Sequence, residues 1–140
     1  MAEHDDFSGL WRSCYWYRSS VRDGEFTSEY YVNVHQKGND LIIESLPNPE
    51  DSYIFIKLSV DGRLATGTWQ EQTSPHHFHE GITYHGAVQF VISEDKKRME
   101  GKWVSAGRAM VVNTGAWELE RLGHKAAKEV QKKHQEQKAA

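Results

Sequence analysis

From residue 7 to residue 122 the chain alternates. Ile54, Ile56, Leu58 and Val60 fall on one side of an extended backbone with Lys57 and Ser59 on the other, and Tyr84, Gly86, Val88, Phe90 and Ile92 repeat the pattern. A period of two marks a half-buried strand, because successive side chains leave opposite faces. This periodicity predicts strands at about 8–18, 26–37, 40–46, 52–60, 63–72, 82–93, 97–105 and 111–121. The breaks carry turn chemistry. Arg22-Asp23-Gly24, Lys37-Gly38-Asn39-Asp40 and Val60-Asp61-Gly62 supply residues that tolerate positive φ, Leu46-Pro47-Asn48-Pro49-Glu50 is fixed by proline, and Ser93-Glu94-Asp95-Lys96-Lys97 is polar.

Eight strands joined by short turns, with no helix between them, describe an all-β meander. Left flat, such a sheet exposes two long edges; closed into an eight-stranded antiparallel up-and-down barrel, it exposes none. The interior of such a barrel is just wide enough for side chains or one small ligand. The pattern then stops. Residues 123–140 are rich in helix formers and nearly devoid of large apolar side chains, with Val130 as the one anchor, so residues 1–122 are expected to form the barrel and 123–140 a charged helical or disordered tail.

Charge and cysteine content narrow the classes. Five Lys against two Glu make the tail basic, leaving twelve Lys and Arg against eighteen Asp and Glu in residues 1–122, a net −6. An acidic body does not suit a groove that tracks phosphates, so nucleic-acid binding by the barrel is not expected. The N-terminus is acidic with no apolar stretch behind it, and no apolar run approaches the ~20 residues of a membrane span. Cys14 is the single cysteine, so no internal disulfide forms, and the expectation is a cytoplasmic protein in which Cys14 serves as a small buried apolar residue.

A tripeptide occurs four times: Gly9-Leu10-Trp11, Gly67-Thr68-Trp69, Gly101-Lys102-Trp103 and Gly115-Ala116-Trp117. Residues two apart share a face, so each glycine leaves a gap on the side its tryptophan occupies, as a tightly curved sheet requires. A Gly-x-Trp in the first strand with an arginine at the end of the last resembles the calycin superfamily (lipocalins, avidins and relatives). The resemblance implies that Trp11 lies inside the closed end of the barrel with Arg121 packed on it. The chain departs from secreted lipocalins in lacking disulfides, and from nearly all calycins in its four repeats. The stretches Phe7–Ser13, Ala65–Pro75, Tyr84–Gln89, Gly101–Trp103 and Asn113–Leu119 also resemble the C-terminal domain of actinobacterial helix-turn-helix regulators of the XRE type. That implies a ligand-sensing module; it brings no catalytic motif, and no helix-turn-helix is present here.

If Trp11 and Arg121 close one end, the meander places the upper ends of strands 1, 5 and 7 and the starts of strands 2, 6 and 8 at the other. The residues in phase there are Tyr15, Tyr17, Ser28, Tyr30, Trp69, Glu71, Tyr84, Trp103 and Ser105, with Phe26 nearby. Aromatic walls with a few hydroxyls and one carboxylate are the chemistry of a small-molecule site. The expected function is therefore binding of a small apolar or aromatic molecule, as a sensor or carrier, with no cofactor. The loop 73–81, Thr73-Ser74-Pro75-His76-His77-Phe78-His79-Glu80-Gly81, lies at the same end; its histidines and Glu80 crowd into five residues without a distant ligand, so a solvated loop is expected rather than a metal site. Two alternatives stay open. One is a small barrel enzyme, a cyclase, isomerase or decarboxylase, using Glu71 as acid and base with Tyr17 or His79. The other is an interaction domain, a homodimer for instance, working through the tail or through Tyr53 and Phe55 on the outer wall.

Overall fold

A computed structural model describes residues 7–18, 25–47, 52–72, 83–106, 110–123, 128–130 and 132. Eight strands, β1 (Gly9–Arg18), β2 (Glu25–Lys37), β3 (Asp40–Ser45), β4 (Tyr53–Asp61), β5 (Leu64–Gln72), β6 (Thr83–Ile92), β7 (Arg98–Ser105) and β8 (Asn113–Arg121), form a closed barrel in which each pairs antiparallel with its neighbours in sequence and β1 pairs with β8. The alternation that predicted the strands is the one the barrel uses. Ile54, Ile56 and Leu58 point inward and are buried, as are Val88, Phe90 and Ile92 on β6. Near the C-terminus the described residues of the tail are helical at 128–130 and 132.

One end is sealed by tight turns. β2 and β3 meet over Gly38 at φ 61°, β4 and β5 over Gly62 at φ 63°, and β6 and β7 over Lys96 at φ 61°. Asp95 organises the last of these, accepting from the Ser93 hydroxyl at 2.6 Å and from the Lys97 amide at 3.0 Å, contacts that hold its carboxyl below the usual range. Above this end Trp11 is fully buried, stands opposite Arg121 in the β1–β8 register, and has the guanidinium carbon 5.9 Å from its ring centre. Arg121 also donates to the Ser8 carbonyl at 3.0 Å. Phe7 completes the plug: its ring packs on Trp11, its amide donates to the Gln36 side chain at 2.7 Å, and its carbonyl accepts the Trp11 indole N–H at 2.9 Å. The arrangement expected from the Gly-x-Trp and the terminal arginine is present, with Phe7 as an addition the alternation did not mark.

The repeated tripeptide works across strands rather than within them. Trp69 stands opposite Gly86, Trp103 opposite Gly115, and Trp117 opposite Gly101. At Gly86 and Gly115 the indole of the facing strand lies against the space a side chain would take, whereas at Gly101 that space meets the β6 backbone of Gln89 and Phe90. Gly9 differs, since its φ of 128° is one that side-chain-bearing residues rarely adopt. Cys14 also departs from expectation. It lies on the outer face, half-buried, between Glu29 and Glu118 in the register, and burial followed by the charge of Glu29 pushes its thiol up. A thiol held protonated in this way is a poor nucleophile.

Candidate functional site

The inward-facing rows grade from closed to open. On β2, Val34, Val32 and Tyr30 are buried, while Ser28 and Phe26 above them are half-exposed. On β5 the row runs from buried Ala65 to half-exposed Glu71, on β6 from buried Ile92 to half-exposed Tyr84, on β7 from buried Met99 to half-exposed Trp103 and Ser105. β1 does the same, from fully buried Trp11 and Ser13 to mostly buried Tyr15 and Tyr17. Solvent therefore enters the barrel from the end opposite Trp11 and reaches about halfway down.

Register explains why these distant residues meet. Tyr15 is opposite Ser28 on β2 and Trp117 on β8; Glu71 is opposite Tyr84 on β6 and Ile54 on β4. Across the lumen, the Tyr15 hydroxyl donates to Glu71 Oε2 at 2.6 Å and the Tyr30 hydroxyl donates to the same oxygen at 3.1 Å. The two phenol rings stack, 12° from parallel with centres 6.2 Å apart. A separation of 2.6 Å falls in the range of hydroxyls donating to an ionised carboxylate. Beneath them Trp117 forms the floor, tilted against Tyr15 at 5.3 Å and edge-on to Trp69 at 6.0 Å. Tyr17 packs on Tyr15 at 5.7 Å and on Phe26 at 5.9 Å, extending the aromatic wall upward.

Three polar side chains in this half are tied to the wall itself. Trp69 Nε1 donates to the Ala87 carbonyl at 3.1 Å, and Trp103 Nε1 reaches past Gly115 on β8 to the Trp16 carbonyl at 3.0 Å. The latter bond sits just above Tyr15–Trp117, the upper end of the β1–β8 register. Ser105 likewise donates to the His85 carbonyl at 2.9 Å, beyond the Ala87–Val104 end of the β6–β7 register. The Trp103 and Ser105 side chains thus join strands just past the ends of those backbone registers. Trp69 and Trp103 face inward with their indole N–H groups satisfied by backbone.

Of the nine residues expected at the mouth, all face inward. Tyr15, Tyr30 and Glu71 form one hydrogen-bonded group, joined by Ser28 through a hydrogen bond with Tyr15; Tyr17, Tyr84, Trp69 and Trp103 surround it; Ser105 lies at the rim. Trp117 and Ser13 were not expected there. Ser13 is fully buried and accepts the Trp117 indole N–H at 2.7 Å, a satisfied polar pair among largely apolar core side chains. Counting outward from Trp11–Arg121 places Tyr15 against Trp117, so the register held the signal. The loop 73–81 lies outside the described residues, and no group of three or more metal-ligating side chains occurs among those described.

Burial first, then the charge of Glu71, raises the Tyr15 phenol well above its ordinary value near 10; Tyr30 and the hydrogen bond to Glu71 add to this, and Ser28 opposes it. Above pH ~10 the unfolded chain ionises this tyrosine while the native barrel resists, so its contribution to stability is whole below that pH and is lost as pH rises. Tyr15→Phe is expected to flatten the alkaline decline of stability relative to wild type, measured by urea unfolding between pH 9 and 11. An unchanged slope would mean that Tyr15 is accessible to solvent.

No protein-family model matches the chain, and no curated protein matches it. Among solved structures it is similar to the crystal structure of a mutant of the vaccine antigen transferrin binding protein B from Haemophilus parasuis, with a TM-score of 0.51 and 12% identity over 81% of this chain. The match spans only 27% of that protein, and at this identity the likeness speaks for the barrel alone.

Proposed function

We propose that this protein is a small-molecule-binding barrel, a cytoplasmic sensor or carrier whose ligand is an apolar or aromatic compound seated at the open end. One observation carries this reading. Among the described residues, the solvent-reached half of the interior is walled by aromatic rings around one carboxylate that two tyrosines hold in place. A merely structural core has no need of a carboxylate at that depth, because burying a charge is costly unless hydrogen bonds offset it. The sealed end, by contrast, is filled with hydrocarbon and the Trp11–Arg121 plug.

Binding is favoured over acid–base catalysis by the same geometry. Two donors on one carboxylate oxygen stabilise the ionised form and fix its direction, which suits a carboxylate that accepts from a ligand. An acid that must give up a proton requires the reverse. Native mass spectrometry of freshly purified protein is expected to show a species heavier than the 16.1 kDa chain, with the extra mass released on denaturation. A bare-chain mass, together with a melting temperature unmoved by a panel of apolar aromatic compounds, would remove the proposal.

A further inference from the structure

We infer that the ligand is an organic cation, a protonated amine borne on an aromatic or apolar skeleton, whose nitrogen sits between Glu71 and the ring faces of the upper barrel. This rests on the binding reading above and names the chemistry of its ligand. The Tyr15 hydroxyl lies 2.6 Å and the Tyr30 hydroxyl 3.1 Å from Glu71 Oε2, so the carboxylate is presented as an ion and held toward the lumen. Around it stand Tyr15, Tyr17, Tyr84, Trp69 and Trp103, all facing inward and none more than partly exposed. Aromatic rings are negative over their faces and attract ammonium groups, most strongly where water is thinned.

The wall adds to this preference. The indole N–H groups of Trp69, Trp103 and Trp117, the positive edges of these rings, are directed at Ala87, Trp16 and Ser13. None of these three N–H groups is therefore left to donate to an anionic ligand. Carboxylate and ring faces both attract positive charge and both repel an anion, so a carboxylate or phosphate ligand fits poorly. A neutral aromatic alcohol satisfies the rings but gains little from the carboxylate.

Benzylammonium, benzyl alcohol and benzoate share one skeleton and differ in charge, and ligand-observed NMR titration of each with the full chain separates the cases. Benzylammonium is expected to bind about tenfold or more tightly than benzyl alcohol, the scale of a charge-assisted hydrogen bond with a cation–π contact, and benzoate most weakly. Glu71→Gln, checked for native circular dichroism, is expected to bring the first two within about threefold. Equal binding of benzylammonium and benzyl alcohol by wild type would overturn the cation assignment and leave the binding site standing. Binding of none of the three would overturn both. A preference for the cation that survives in folded Glu71→Gln would overturn Glu71 as its anchor. Should that variant not fold, Tyr30→Phe, which removes one donor and keeps the ring, is expected to retain the cation preference, and the wild-type ranking still decides.

Discussion

Gly86→Ala is expected to be severely destabilised. A Cβ at this position would overlap the Val104 carbonyl oxygen of β7 and stand 2.9 Å from both the Val104 carbonyl carbon and Trp69 Nε1. Two of those three atoms are backbone, so no rotamer change relieves the contact. The third belongs to an indole fixed by its bond to Ala87 and by edge-on packing against Trp103 and Trp117. To admit one methyl, β7 must move away from β6 near the top of their ladder, which ends at Ala87–Val104. Overpacking a well-filled interior costs about 1–3 kcal/mol, and backbone displacement lifts this toward the top of the range or beyond. Total stabilities of small domains are about 5–15 kcal/mol, so the loss is a large fraction. Gly123→Ala supplies the control, since nothing lies within 4 Å of a Cβ there. Thermal melts followed by tryptophan fluorescence should show Gly123→Ala near wild type and Gly86→Ala strongly shifted or already unfolded. A Gly86→Ala protein that melts within a few degrees of wild type would mean that the β6–β7 seam is loose.

Much of this architecture was legible in the chain because a strand's alternation and its burial are the same fact. Ile54, Ile56 and Leu58 alternate in sequence since they line one face, and the barrel buries that face. The Tyr15–Glu71–Tyr30 meeting was legible only at one remove. It needed the meander to set which ends coincide, and then the phase of each residue relative to a tryptophan; the hydrogen bonds themselves depend on a lumen width that no local pattern encodes. Ser13 was hidden for a different reason. Ser13 is in phase with Trp11 and Tyr15 and so faces inward, but nothing local shows that its hydroxyl is satisfied by Trp117, 104 residues away in sequence. Phe7 lies just before β1 and plugs the barrel from below rather than lining it, a role that alternation along a strand does not encode. The glycines were assigned a role but not its direction. Which indole fills the space above Gly86 follows from the Trp69–Gly86 register, and a one-residue slip would have reversed the answer.

On the function proposed above, the sealed end carries stability and the open end binding, and Trp11→Ala tests that division with the largest single loss expected at a side chain. Trp11 is fully buried; its ring carries Phe7 on one side and the Arg121 guanidinium over its face, and its N–H satisfies the Phe7 carbonyl. Truncation removes an indole's worth of contacts and frees the segment that plugs the barrel. It also strips Arg121 of its stacking partner, although the bond to the Ser8 carbonyl remains. Replacing a buried Trp by Ala typically costs ~3–5 kcal/mol, a sum of lost transfer energy and the cavity left behind. Urea unfolding at neutral pH should report a loss of that size with little change in the denaturant slope. The binding half is built from other residues: Glu71, Tyr15 and Tyr30 hold one another, and Trp117 beneath them is fixed by Ser13. At low temperature, where the variant remains folded, any ligand captured by wild type should therefore bind Trp11→Ala within a few-fold of its wild-type affinity. A variant that kept its stability and lost only binding would show that the ends are assigned the wrong way round.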